Sequence, residues 1–162
     1  MIGLIILDLY GTIVKPNSSP PVRDGFDEFI QHYRGQGAKI VISTDGPEET
    51  VIRTLYDLDL WDKVDEVYDN RDCFPGDSGR TIKNLKKSCY KFSVDPSNAV
   101  FIGDNFYGGD QESADHYEMR FVKVPQYREE PPSWQVRDSL EYYVDFEDPE
   151  NPFSFRSLIG KL

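Results

Sequence analysis

Asp8 closes the apolar run 2–7, Thr44 and Asp45 close 38–43, and Asp104 follows Gly103 at the end of 99–102, with Asp110 one short turn further on. Carboxylates gathered at such run ends suit a hard divalent cation. Mg2+ takes one or two carboxylates together with waters and a phosphate oxygen. A threonine hydroxyl and a lysine beside them would complete a place for a phosphoryl group. A carboxylate paired with a metal and a cation stays ionised at neutral pH, so Asp8 is the candidate covalent nucleophile. The lysine is expected from residues 79–92. Lys83, in Ile82-Lys83-Asn84-Leu85, lies near the start of an expected helix and can reach back to the run ends. Lys86 is angularly closer to the apolar stripe but a turn further away, and Arg80 and Lys87 face solvent on a helical wheel. Lys83 is the choice.

These residues need a scaffold that brings distant run ends together, and the apolar patterning supplies one. Residues 2–7 (IGLIIL), 38–43 (AKIVIS), 99–102 (AVFI) and 119–124 (MRFVKV) read as strands, with 64–68 (VDEVY) as a further one. The first is apolar nearly throughout, as a strand buried on both faces is. Helical periods fall between them. Phe26, Phe29, Ile30 and Tyr33 follow Asp24 as N-cap and precede Gly35 and Gly37. Val51, Ile52, Leu55 and Leu58 mark a helix with Pro47 at its first position. Ile82, Leu85, Cys89 and Phe92 share a stripe over 79–92, and 110–117 is a short helix. Residues 15–22 and 69–79 read as loops. Strands alternating with helices imply right-handed crossovers and a mainly parallel sheet covered on both faces, with ligands beyond the carboxyl ends of its strands.

Asp8-Leu9-Tyr10-Gly11-Thr12, Thr44 after an apolar run, and residues 100–104 (VFIGD) followed by Asp110 resemble the haloacid dehalogenase (HAD) superfamily in order and spacing, over about residues 2–124. The resemblance implies a Rossmann-like three-layer α/β/α fold and a phosphatase acting through an aspartyl-phosphate. On that pattern Asp8 attacks phosphorus. Its carboxylate, the backbone carbonyl of Tyr10 and Asp104 hold Mg2+, with Asp110 ligating or supporting, and Thr44 and Lys83 hold the phosphoryl oxygens. Positioning and charge neutralisation then supply most of the rate. Five residues separate Asp104 from Asp110, one more than a common form of the motif.

Tyr10 departs further. Phosphatases of the superfamily usually carry a second aspartate there, which protonates the leaving group and then activates water. Tyrosine, with a reference pKa of about 10, is a poor base at neutral pH. Asp45 and Asp72 are the substitutes at hand, and the loss matters least for good leaving groups such as acyl phosphates. The DxYGT form is similar to the dehalogenase branch. Dehalogenases and small-molecule phosphatases of the superfamily close the site with an inserted cap domain, however. Here Thr44 comes 36 residues after Asp8 and Lys83 another 39 later, and helices and strands fill most of both intervals. A capless site suits a macromolecular substrate, or cover from the chain's own tail or a second subunit. It suits dehalogenation badly, because that chemistry needs a desolvated carboxylate. The alternative is a catalytically impaired HAD-fold protein that binds phosphate or a partner. A phosphorelay receiver also sets Asp, Thr and Lys on a parallel sheet, but with an acidic pair after its first strand, where this chain has a single Asp8.

At 162 residues the chain is expected to be a catalytic core over 1–125 and an aromatic-rich extension over 126–162. The extension holds Tyr127, Trp134, Tyr142, Tyr143, Phe146, Phe153 and Phe155, too many aromatics for a simply disordered tail. It is expected to pack on the core or on a partner, including a second copy of the chain. A net charge of −11 disfavours nucleic acid and anionic membranes, and no apolar run is long enough to span a bilayer. The expected partner is a phosphorylated substrate, small or macromolecular. The start of the chain lacks a secretory pattern, and Cys73 and Cys89 form neither a disulfide framework nor a metal-ligand spacing, so a reducing cytoplasm is the expected location. His32 and His116 offer no triad, and the acidic stretch 141–150 reads as solvated.

Overall fold

Alternation along each strand sorts the apolar residues onto two faces of a sheet. The computed structural model describes residues 1–128 and 144–162. The chain runs β1 (Leu4–Leu7), α1 (Phe26–Gly35), β2 (Lys39–Ser43), α2 (Glu48–Asp57), β3 (Glu66–Tyr68), β4 (Cys73–Pro75), β5 (Thr81–Lys83), α3 (Leu85–Phe92), β6 (Ala99–Gly103), α4 (Gly109–His116) and β7 (Arg120–Lys123). Five strands form a parallel sheet of order β3-β2-β1-β6-β7, and β4 and β5 form an antiparallel ribbon beside it. The architecture is the Rossmann-like α/β/α sandwich expected.

Ile5 and Leu7 of β1, Ile40 and Ile42 of β2, and Val100 and Ile102 of β6 pack with Phe26, Phe29, Ile30 and Tyr33 of α1 and Val51 and Leu55 of α2. The intervening Leu4, Ile6, Val41, Ala99 and Phe101 point the other way, onto Leu85 and Cys89 of α3 and Ala114 of α4. A one-residue slip would exchange the two sets, so both cores fix the register. In that register Leu7 lies opposite Ile42 and Ile102, so the three central strands end level. Asp8, Thr44 and Asp104 therefore leave the same edge.

Several local expectations change. Residues 79–92 are not one helix. Thr81–Lys83 pairs with Cys73–Pro75, and α3 begins only at Leu85. Ile82 matches the helical stripe because it lies three residues before Leu85, yet it is buried as a strand residue facing Phe74. Arg80 therefore lies on the ribbon and not on a solvent-facing helix. Pro47 takes the N-cap place of α2, one residue earlier than expected. Asp24 does not cap α1. Gly25 holds that place at φ 75°, where an added Cβ would lie 2.6 Å from the Arg156 backbone nitrogen, so only glycine fits.

Arg156 itself reaches Asp24 at 2.6 Å and Glu28 at 2.5 Å. It belongs to the described end of the extension, 144–162, which lies along α1. Phe155 is fully buried, with its ring centroid 5.3 Å from Phe26 and 5.2 Å from Phe29. The Tyr33 hydroxyl donates to the Leu158 carbonyl at 2.7 Å. Trp134, Tyr142, Tyr143 and the start of the acidic stretch lie outside the described residues.

Candidate active site

The turn after β1 is built around one carbonyl. Leu9 O accepts the backbone N–H groups of Thr12, Ile13 and Val14 at 3.3, 2.9 and 3.1 Å, winding residues 9–14 into a tight loop with Leu9, Ile13 and Val14 buried. Gly11 crosses this loop at φ 79°, and a Cβ there would lie 2.3 Å from Asp104 Oδ2. The loop backbone thus comes against Asp104 as closely as glycine allows. Thr12 joins the two strand ends: its hydroxyl donates to Asp8 Oδ2 at 3.1 Å and accepts the Asp104 N–H at 3.1 Å.

Lys83 ends the ribbon strand β5, whose position α4 sets. The Lys83 N–H donates to Ser113 Oγ at 3.0 Å, and Ser113 donates to the Gly109 carbonyl at 2.6 Å. The buried ammonium then donates to Asp8 Oδ1 at 2.6 Å and to Asp110 Oδ1 at 2.7 Å. Asp110 accepts the Asn105 N–H at 2.9 Å on its other oxygen. Asp104 accepts from Phe106 N–H at 3.3 Å and from Gln126 Nε2 at 2.9 Å. Lys86, the other lysine considered, is exposed, with its ammonium 6.0 Å from the Tyr90 ring centroid.

Asp8, Asp104 and Asp110 are all buried, and each offers a carboxylate oxygen within 4.8 Å of the others. Lys83 pairs with two of the three, Asp8 and Asp110. Burial pushes Asp8 well above the usual carboxylate range, and the charges of Asp110 and Asp104 add to the push while Lys83 opposes it. Burial, then Asp110, pushes Asp104 up to about 7 against the pull of Gln126 and Lys83. Burial works against the charge on Lys83, but Asp110 and Asp8 outweigh it and hold the ammonium well above its ordinary pKa. A cluster with surplus buried negative charge and hard oxygen donors fits a divalent cation such as Mg2+. Asp8, Asp104 and Asp110 are the residues that would hold it.

The cluster opens into a cavity of about 530 Å3 lined also by Tyr10, Asp45, Arg80, Phe106, Tyr107, Gln126 and Arg128. Tyr10 presents its ring to this cavity, while its hydroxyl lies 3.0 Å from Thr54 on α2. Burial raises the Tyr10 pKa, so still less of it is in the basic phenolate form at neutral pH than in a free tyrosine. Asp45 lines the cavity, but Asp72 does not and pairs with Lys87. Thr44, expected to hold a phosphoryl oxygen, is 1% exposed and does not line the cavity. Its hydroxyl accepts the Gly46 N–H at 3.1 Å, closing the turn that carries Asp45 to the wall.

Gln126 is the site residue that sequence reasoning missed. Its one signal is its place just past β7, at the same sheet edge. Arg23 was missed too, and it is buried. It donates to the Thr12 carbonyl at 3.1 Å, the Pro125 carbonyl at 2.5 Å and Glu147 at 3.1 Å, tying the Asp8 loop to the extension.

A family model described as "haloacid dehalogenase-like hydrolase" matches residues 16–109, more than half of the chain. The chain belongs to the HAD-like hydrolase family. That match begins after Asp8–Thr12 and stops one residue before Asp110, so the roles of those residues rest on their geometry. Solved HAD-like hydrolases share the fold. A haloacid dehalogenase-like family protein from Streptococcus pneumoniae aligns with TM-score 0.60 and 14% identity, over 90% of this chain and 92% of that one. A HAD-superfamily hydrolase of subfamily IA, variant 1, from Geobacter sulfurreducens aligns with TM-score 0.59 and 15% identity, over 86% and 100%. A protein described as a predicted phosphoglycolate phosphatase from Haemophilus somnus aligns with TM-score 0.57 and 18% identity. That alignment covers 75% of this chain and 54% of the phosphatase, so the chain spans about half the length of that relative. No curated protein matches the chain.

Proposed function

We propose that this HAD-like hydrolase is a Mg2+-dependent phosphatase working through an aspartyl-phosphate on Asp8. The observation that carries the reading is the Lys83 ammonium held between Asp8 and Asp110, with Asp104 completing a buried three-carboxylate cluster at the floor of an open cavity. The description of one structural relative as a predicted phosphoglycolate phosphatase agrees with it. Bound Mg2+ would supply charge neutralisation for the phosphoryl oxygens.

Asp8 carries the covalent step. A carboxylate oxygen forms a bond to phosphorus while the bond from phosphorus to the leaving oxygen breaks, and that oxygen keeps the electron pair. Water then attacks the aspartyl-phosphate, the bond from phosphorus to Asp8 breaks, and the carboxylate returns. Of the two protons of that water, one ends on phosphate and the other balances the proton taken up by the departing alcohol. Lys83 neutralises and orients Asp8, and its ammonium faces the developing phosphoryl charge in a buried site where such charges act strongly. Thr12 fixes the second Asp8 oxygen, and Gln126 fixes Asp104. We read the site as capless. The interval from Asp8 to Thr44 holds the Asp8 loop, α1 and β2, and that from Thr44 to Lys83 holds α2, β3 and the small ribbon.

The test is phosphate release from a panel of phosphorylated metabolites and aryl phosphates, with and without Mg2+. Mg2+-dependent release that disappears in Asp8→Asn supports the reading. No release at any pH, or release unchanged in Asp8→Asn, overturns it. In that case the alternative, a phosphate-binding protein without turnover, predicts Mg2+-dependent binding of beryllofluoride.

A further inference from the structure

We propose that Arg128 is a catalytic residue that holds the phosphoryl oxygens, in the place expected of Thr44. The proposal rests on the phosphatase reading of this site. Thr44 is buried outside the cavity, with its hydroxyl turned to the Gly46 N–H. Lys83 gives two of its three ammonium N–H groups to Asp8 and Asp110, which leaves one for a substrate. A phosphoryl group in transfer spreads its charge over three outer oxygens. A second cation beside the carboxylate cluster is matched to that charge, and Arg128 lines the same cavity as the cluster.

The path of residues 126–128 sets it there. The Gln126 N–H donates to the Asp145 carbonyl and the Tyr127 N–H to the Gly11 carbonyl, both at 2.7 Å, so the segment is pinned between the extension and the Asp8 loop. Gln126 and Arg128 line the cavity, whereas Tyr127 between them does not, and its hydroxyl donates to the Pro21 carbonyl at 2.8 Å. That alternation is the one an extended chain gives. Arginine has no acceptor, so Gln126 must turn its Oε1 to the Arg128 Nε–H. Its amide nitrogen is then the end that donates to Asp104 Oδ2 at 2.9 Å. One glutamine side chain thus separates the Arg128 guanidinium from a carboxylate of the cluster. With Nε engaged, the two terminal nitrogens remain as a planar fork suited to two oxygens of a phosphoryl group.

Arg80, the other arginine of the cavity, is committed elsewhere. Its Nε donates to the Tyr107 carbonyl at 2.8 Å, and its guanidinium pairs with Glu112 of α4 at 3.2 Å. Its charge is answered by a carboxylate, whereas the partner that orients Arg128 is a neutral amide. A guanidinium stays protonated throughout, so the role assigned to Arg128 is electrostatic and involves no proton transfer.

The experiment compares wild type with Arg128→Ala and Arg128→Lys. With Mg2+, kcat/KM of Arg128→Ala is expected to fall about 10²–10³-fold for both acetyl phosphate and p-nitrophenyl phosphate, because the phosphoryl group is the part they share. Calorimetric binding of inorganic phosphate with Mg2+ is expected to weaken about 10–100-fold. Added guanidinium ion, too dilute to unfold the chain, is expected to restore part of the lost rate, which a loss of folding would not allow. Arg128→Lys keeps the charge without the fork and is expected to retain more phosphate affinity than Arg128→Ala; the reverse order would overturn the proposal. Unchanged rates or unchanged phosphate affinity in Arg128→Ala would overturn it and leave the phosphatase reading intact. A loss confined to one of the two substrates would place Arg128 on the leaving group and overturn it as well. Turnover of neither substrate by wild type would overturn the reading and the proposal together.

Discussion

Lys83 Nζ lies 2.6 Å from Asp8 Oδ1, joining two residues 75 positions apart in a contact shielded from solvent on both sides. The strand end of β1 fixes one partner and the β4–β5 ribbon the other, so the pair reports the assembly of the whole edge. Replacing Lys83 by Met leaves the buried Asp8 and Asp110 without the cation that each now pairs with. We expect the metal-free protein to lose about 3–5 kcal/mol by chemical denaturation, and Mg2+ to restore part of that loss. Phosphate release should fall about 10²–10³-fold. A variant with wild-type stability and rate would contradict the arrangement.

Gln126 holds Asp104 from behind at 2.9 Å while its own backbone N–H donates to the Asp145 carbonyl at 2.7 Å. Removing such a support costs about 10–100-fold in metal affinity. Gln126→Ala should therefore weaken Mn2+ binding, followed by electron paramagnetic resonance, by that factor with the fold intact by circular dichroism. Unchanged affinity would show that Asp104 needs no support from beyond β7.

Asp104 also sets a pH dependence. Burial raises its folded-state pKa to about 7, whereas the unfolded chain has the ordinary value of about 4. Between those values the folded, metal-free protein holds the extra proton, so stability falls as pH rises and returns on acidification. The melting temperature without metal should drop from pH 5 to pH 7.5 more steeply in wild type than in Asp104→Asn. Saturating Mg2+ should flatten the wild-type curve. Equal slopes in wild type and variant would assign the dependence to the overall acidic charge.

Phe155 makes the extension part of the core. Its ring fills the space between Phe26, Phe29 and Phe153 with no solvent exposure. Phe155→Ala should cost about 3–5 kcal/mol in a single unfolding transition. A loss under about 1 kcal/mol would mean that residues 144–162 only rest on α1.

The strands that carry Asp8, Thr44 and Asp104 were legible because each is an apolar run closed by a polar residue. The parallel register then follows from burying both faces. Lys83 was legible by position but not by element. The three-residue step from Ile82 to Leu85 suits a helix, and only pairing with Cys73–Pro75, set by the ribbon turn, reveals the strand. Asp24 misleads for a similar reason: beside α1 it reads as a cap, yet its partner Arg156 is 132 residues away. Gln126 and the Arg23 anchor depend on contacts across more than 20 and more than 100 residues, and no local pattern encodes them. Tyr10 was legible as a departure. The seat of its hydroxyl beside Thr54 was not, since that depends on where α2 packs.

Asp8 is the group proposed to take the phosphoryl. Rapid acid quench of the enzyme turning over acetyl phosphate with Mg2+, followed by peptide mass spectrometry, locates that group directly. The expected result is one acid-stable, hydroxylamine-labile phosphoryl group on the peptide containing Asp8, absent in Asp8→Asn. Turnover with no covalent phosphate at Asp8, or with the phosphoryl group on another residue, would contradict it.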